Sequence, residues 1–152
     1  MKITMGVITL LLIALVYFLF SAGFFANVTI EEKNVGPYTL VYEEFIGDYK
    51  NTPKIQDKIY YALLNDYKIE TLKGFGIYYD NPKEVSRDKL RSEIGCILEE
   101  KDLARVEELK TKSFKIKEFP KTNAIVIEFP FNNQFSILAG IMKVYPKLEA
   151  YR

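Results

Sequence analysis

The chain has 152 residues, 49% hydrophobic and 27% charged, the mix of a folded protein with room for one domain of ordinary size. It has no histidine and a single cysteine, Cys96, so Ser-His, Cys-His and His-metal chemistry, an intrachain disulfide and a cysteine zinc site are all excluded. Lys2 is the one charged side chain before residue 27, which leaves 20 basic and 20 acidic side chains in residues 27–152. A neutral domain of this kind exerts no bulk pull on nucleic acid or on anionic lipid.

Ile3 to Ala26 is an uncharged apolar run. A spanning helix needs ~20 such residues, and a signal-peptide core only ~7–15. The run therefore reads as a retained transmembrane anchor over residues 3–26, with a cleaved signal peptide as the alternative. Lys2 on one flank and Glu31-Glu32-Lys33 on the other favour an extracytoplasmic domain on a single-pass protein.

Pro37 to Ile46 is rich in β-branched and aromatic residues and predicts a strand. Thr52-Pro53 starts a helix, with Ile55, Ile59 and Leu63 on one face. Gly74 to Tyr79 predicts a second strand, Asp80-Asn81-Pro82 a turn, and Ile94 to Leu98 a third strand. Lys101 to Lys112 predicts a short polar helix and Ala124 to Phe131 a fourth strand. Phe135, Leu138, Ile141, Met142, Tyr145 and Leu148 mark a second amphipathic helix, which Pro146 should kink or end.

The two strand–helix units align at an offset of roughly 84 residues, pairing Val41 with Ile125 and Tyr61 with Tyr145. The reading is a duplication whose second copy lacks its last hairpin. A missing hairpin exposes a strand edge and an apolar helix face, a route to self-association through the incomplete repeat.

Tyr78-Tyr79-Asp80-Asn81-Pro82, followed by Asp88-Lys89-Leu90-Arg91, Glu93-Ile94-Gly95 and preceded by Gly47-Asp48-Tyr49, resembles the GyrI-like (AraC effector-binding, SHS2-type) domain family. Phe129-Pro130-Phe131, with the apolar N-terminal run, is similar to its membrane-anchored, testis-expressed branch. The resemblance covers residues 28–152. It implies an α+β fold: an N-terminal transmembrane helix (1–26), then a duplicated β-α-β-β domain (27–152), with a first repeat over 27–100 and a partial second over 113–152. It also implies a groove between the repeats that takes hydrophobic, often cationic, small molecules. The family's acidic site residue lies in the hairpin this chain lacks, so the resemblance supplies no catalytic residue.

Residues that carry ligand chemistry on this reading are Tyr42, Tyr60, Tyr78 and Tyr79, on elements that border the groove, together with Glu128, the acid that interrupts the fourth strand. Aromatic faces attract organic cations at ~0.5–2 kcal/mol each. A buried Glu128 would favour a cation or act as an acid; a solvated one would be ordinary. Glu43 and Glu44 are adjacent on a strand and so point to opposite faces. Cys96 reads as a small apolar filler, and Gly74 and Gly76 lack the context of a phosphate loop. No nucleophile and base stand together, no cofactor is called for, and no metal site is visible. The expected function is a membrane-tethered, non-enzymatic module that binds a hydrophobic small molecule or a partner. The alternative is a protein-interaction domain without a small ligand, and a hydrolase is the weakest reading.

Overall fold

The computed structural model describes residues 2–111, 114–133 and 135–151, with side chains described from Met5 onward. The chain forms two compact units. One is discontinuous, residues 1–34 with 123–152; the other is continuous, residues 35–122.

The continuous unit is built on a four-stranded antiparallel sheet. Its strands are β2 (Tyr38–Ile46), β3 (Lys73–Tyr78), β4 (Arg91–Ile97) and β5 (Lys115–Phe119), in the order β3-β4-β2-β5. Val41 lies opposite both Cys96 and Ile116, so these three share a face. Helix α2 (Thr52–Tyr67) packs on that face. Pro53 stands in its first turn, where a missing N–H costs nothing, and the Thr52 hydroxyl donates to the Tyr49 carbonyl at 2.8 Å. Lys68, at φ 57°, ends it in the left-handed region. Ile59 and Leu63, one helical turn apart, are fully buried against Val41, Ile69, Cys96, Leu98 and Leu109. Residues Glu100–Arg105 form 3₁₀ turns that run into α3 (Val106–Lys110), whose Leu109 closes the core. The short polar helix read at Lys101 to Lys112 is thus 3₁₀ over its first part, and its last residue lies outside the described residues.

The discontinuous unit holds α1 (Lys2–Ser21), β1 (Ile30–Val35), β6 (Thr122–Ile127) and α4 (Phe135–Tyr151), with β1 paired to β6. The strand expected to reach Phe131 stops at Ile127, because Glu128-Phe129-Pro130 leaves the ladder. Helix α4 runs through Pro146 to Tyr151, so that proline does not end it. Lys143 donates to the Ala26 carbonyl at 2.6 Å, Lys147 to the Val28 carbonyl, and the Tyr151 hydroxyl to Glu32 at 2.7 Å.

The N-terminal helix corrects the sequence reading. It stops at Ser21, short of the end of the apolar run. Gly23, at φ +84°, takes the left-handed position beyond the helix end. Its N–H bonds Phe20 O at 3.1 Å and the Phe24 N–H bonds Leu19 O at 3.1 Å, the paired closure that terminates a helix. Ala22 and Gly23 are buried, and residues 22–26 belong to the turn that leads to β1. Among the described residues no helix is long and apolar enough to cross a membrane. The transmembrane anchor over 3–26, the single-pass membrane location and the extracytoplasmic placement are overturned by this finding.

The fold stands corrected with it. The chain is α+β, with helices and antiparallel sheets, but not a transmembrane helix followed by a duplicated β-α-β-β domain. The strand from Ala124 that the repeat assigned to a second copy pairs with β1, a strand the alignment did not contain. The sheet of the first copy is completed by β5, another strand it did not contain.

Candidate functional site

The face of the four-stranded sheet away from α2 carries a polar and aromatic cluster. The register builds it. Tyr42 on β2 lies opposite Gly95 on β4 and Lys115 on β5; Glu44 lies opposite Glu93, which in turn faces Ile77 on β3. Tyr79, two residues beyond Ile77, follows on the same side.

Two carboxylates directly across a ladder repel one another. Lysines from β5 offset both. Lys115 pairs with Glu44 at 2.7 Å. Lys117 reaches across β2 to bond Glu93, and its ammonium lies 5.0 Å from the centroid of the Tyr42 ring. The Glu93 side chain is only 13% exposed, so this pair is more shielded than a surface bridge. Burial alone would lower the Lys117 pKa, but the Glu93 hydrogen bond and charge, with Tyr79 and Tyr42, hold it above the ordinary lysine value. Tyr79 is pushed up by desolvation and by its hydrogen bond to Glu93, against the opposing pull of Lys117.

Gly95 has no room for a side chain. A Cβ built there would meet the Val41 carbonyl oxygen at 1.9 Å and Tyr42 Cα at 2.8 Å. The position is bare between Tyr42 and Phe75, its neighbours across the two ladders.

Of the residues read from the sequence, Tyr42 and Tyr79 thus meet on one face, around Glu93 and Lys117. Tyr78 points to the α2 side. Its ring packs edge-on against Tyr49 at 4.7 Å and its hydroxyl lies 3.3 Å from that of Thr52. Tyr60 is on α2, packed against the core and edge-on to Tyr61 at 5.3 Å. Glu128 belongs to the discontinuous unit, is highly exposed, and is bonded by Lys33, which holds its carboxyl below the usual range. Glu43 and Glu44 do part to opposite faces: Glu43 takes Lys58 of α2 at 2.7 Å. Cys96 is buried, and burial raises its thiol.

The sequence reading takes Glu93 only as part of the motif Glu93-Ile94-Gly95, with no ligand role, and does not reach Lys117. The signal available was alternation: Lys115, Lys117 and Phe119 fall on one side of a strand, Ile116 on the other. Among the described residues no group of three or more Cys, Asp or Glu side chains could hold a metal ion.

The motif Tyr78-Tyr79-Asp80-Asn81-Pro82 with Arg91 has a different role, that of closing the β3–β4 connection. Asp80 accepts from the Arg91 backbone N–H at 2.7 Å and from its guanidinium at 2.8 Å. The Tyr49 hydroxyl accepts from the Asp80 N–H at 3.1 Å and donates to the Arg91 carbonyl at 2.9 Å. The Arg91 bonds hold the Asp80 carboxyl below its ordinary value.

The class defined this far is an α+β protein whose antiparallel sheet presents a tyrosine-rimmed ion pair on one face. The chain is distantly homologous to human testis-expressed protein 264, with 29% identity over 154 aligned positions covering 96% of this chain and 47% of that protein. The mouse testis-expressed protein 264 homolog is 35% identical over 85 positions, 53% of this chain and 28% of that one. The chain therefore spans less than half the length of the curated relatives it matches. No family profile matches the chain, and no solved structure gives a significant match.

Proposed function

We propose that the chain is a non-enzymatic binding module of the GyrI-like type, and that it takes an apolar organic cation on the sheet face formed by Tyr42, Tyr79 and Glu93. The observation that carries this reading is the seat of the Lys117 ammonium. A cation already rests there, over one tyrosine ring and on a carboxylate that a second tyrosine flanks. A ligand ammonium or phosphonium offers the same charge with more apolar surface. Each aromatic contact is worth ~0.5–2 kcal/mol, and a shielded carboxylate adds to it. The resemblance carried by the 78–82 motif supports the GyrI-like part of this reading. Tethering to a membrane is not part of the proposal.

A second reading, a protein-interaction module without a small ligand, draws on α4. Its Phe135, Leu138, Ile141, Met142 and Tyr145 are each more than half exposed. Such a face suits a partner better than water.

Calorimetric titration with tetraphenylphosphonium separates the two. On the first reading the wild-type chain binds it weakly, because Lys117 competes. Lys117→Met should tighten binding roughly tenfold, while Glu93→Gln and Tyr42→Ala should each weaken it by a similar factor. Equal heats in all four proteins would dismiss the sheet face as a cation site and leave the partner reading.

A further inference from the structure

Arg91 is the one cation that β4 carries, and the register puts it on the same face as the ion pair. It lies opposite Ile46 on β2, two residues from Glu93 and on the same side of the strand. One step beyond the last β3–β4 pair, Tyr78 with Ser92, it lies opposite Tyr79, whose N–H bonds its carbonyl at 3.1 Å. Arg91, Glu93 and Tyr79 are thus neighbours on one face. Alternate residues of a strand are about 6.7 Å apart, inside the span of an arginine side chain. Yet among the described residues no ion pair joins Arg91 to Glu93: Glu93 is paired with Lys117, and Arg91 with Asp80. Arg91 donates to the Asp80 carboxylate from Nη2 at 2.8 Å, from Nε at 3.0 Å and from its backbone N–H at 2.7 Å. The Asp80 side chain is 10% exposed and that of Arg91 64%, so the acid is set into the fold and the arginine comes to it from the surface. The Asp80 hydrogen bond and charge, followed by Tyr49 and Tyr79, hold Arg91 above its ordinary value against the pull of burial.

We propose, on the reading of the Tyr42, Tyr79 and Glu93 face as a cation site, that Asp80 is a positioning residue for it: by holding the Arg91 guanidinium, Asp80 keeps that charge off Glu93 and leaves the carboxylate to a ligand. Lys117 already brings one ammonium to Glu93 from β5. A freed Arg91 would bring a second cation, with parallel N–H donors that fit a carboxylate better than an ammonium does. It would also set a full positive charge beside Tyr79 and repel an incoming cation. Asp80 prevents both. Its carboxylate binds the guanidinium and the backbone N–H of the same residue, so the turn that carries the acid stays fixed to the charge it neutralises. The contact that closes the β3–β4 connection thereby also sets the charge of the sheet face. Asp80→Asn separates the two roles, since asparagine keeps an oxygen for the Arg91 N–H but not the charge that holds the guanidinium.

Calorimetric titration of the full chain with tetraphenylphosphonium tests this, in a Lys117→Met parent from which the competing ammonium is gone. Adding Asp80→Asn should weaken binding about fivefold, and adding Arg91→Met to that variant should bring the affinity back to within about twofold of the parent. A contact that only held the turn would be damaged further by the second substitution and not repaired by it. Tyr79 gives a reading without ligand. In chains carrying isotope-labelled tyrosine, the Tyr79 phenol signal, assigned by its loss in Tyr79→Phe, should titrate at lower pH in the Asp80→Asn variant than in the parent, because a freed guanidinium favours the phenolate. It should return in the variant that also carries Arg91→Met. If Asp80→Asn does not fold, Asp80→Glu, which keeps the charge but moves it by one methylene, carries the same comparison with and without Arg91→Met. Binding that the Asp80 substitution leaves unchanged, a loss that Arg91→Met does not repair, or a Tyr79 midpoint that stays in place overturns the proposal and leaves the cation site standing. No binding in the Lys117→Met parent overturns the reading of the site and this inference with it.

Discussion

At the scale of single residues, Gly95 and the Asp80–Arg91 pair show two different ways a position becomes fixed. Gly95 is held by geometry alone. Its missing side chain lets β4 approach β2 so closely that any Cβ would strike the Val41 carbonyl. Gly95→Ala should therefore cost ~1–3 kcal/mol through forced backbone shifts, read as a lowered denaturant midpoint with an unchanged slope. Asp80 is held by bonds. Its carboxyl is depressed in the fold, so the stability it contributes is present above the ordinary carboxylate pKa and is lost as pH falls through the depressed value. Lys117 and Tyr79 have the opposite sign: both are raised, so their contribution is complete below their ordinary values and is lost as pH rises through the raised ones. Melting curves should accordingly show an acid loss that Asp80→Asn reduces and an alkaline loss that Lys117→Met reduces, the remainder coming from Glu128 and from Tyr79. An acid limb unchanged in Asp80→Asn would mean that other carboxylates set it.

At the scale of elements, α2 carries the core. Ile59 and Leu63 are fully buried, and truncating either leaves a cavity among Val41, Ile69 and Leu109. Leu63→Ala should lose ~2–5 kcal/mol. Tyr61→Ala, at a position more than half exposed on the same helix, should lose far less. This helix was legible because proline, threonine and the 3.6-residue spacing all agreed. Strands β2, β3 and β4 were legible from β-branched and aromatic runs. Strands β1 and β5 were not, since IEEKNV and KIKEF are half charged and offer few apolar residues to count. In β5 the lysines face acids on neighbouring strands, a match that exists only once the register is known. For the same reason Tyr42 and Tyr79 could be chosen as aromatic residues, while the roles of Glu93 and Lys117 stayed hidden. The apolar run at the N-terminus misled because hydropathy does not see the left-handed turn at Gly23 that ends its helix.

At the scale of the whole molecule, the division of the chain makes its own prediction. The continuous unit, residues 35–122, contains every strand of its sheet, both helices that cover it and all of the buried cluster around Val41 and Leu63. The discontinuous unit needs both ends of the chain, since β1 pairs with β6 and α4 takes the carbonyls of Ala26 and Val28. A unit that owns its core and its hydrogen bonds should fold when separated, whereas one assembled from two distant segments should not survive the loss of either. Residues 35–122 expressed alone should therefore melt cooperatively and keep slow-exchanging amides in β2 and β4, the two central strands. A chain truncated at residue 122 should lose the β1 protection seen in the full protein and retain that of β4. If residues 35–122 instead gave a non-cooperative transition with no protected amides, the core around Val41 would have to depend on residues beyond its own segment, and the unit boundary at 35 and 122 would be wrong.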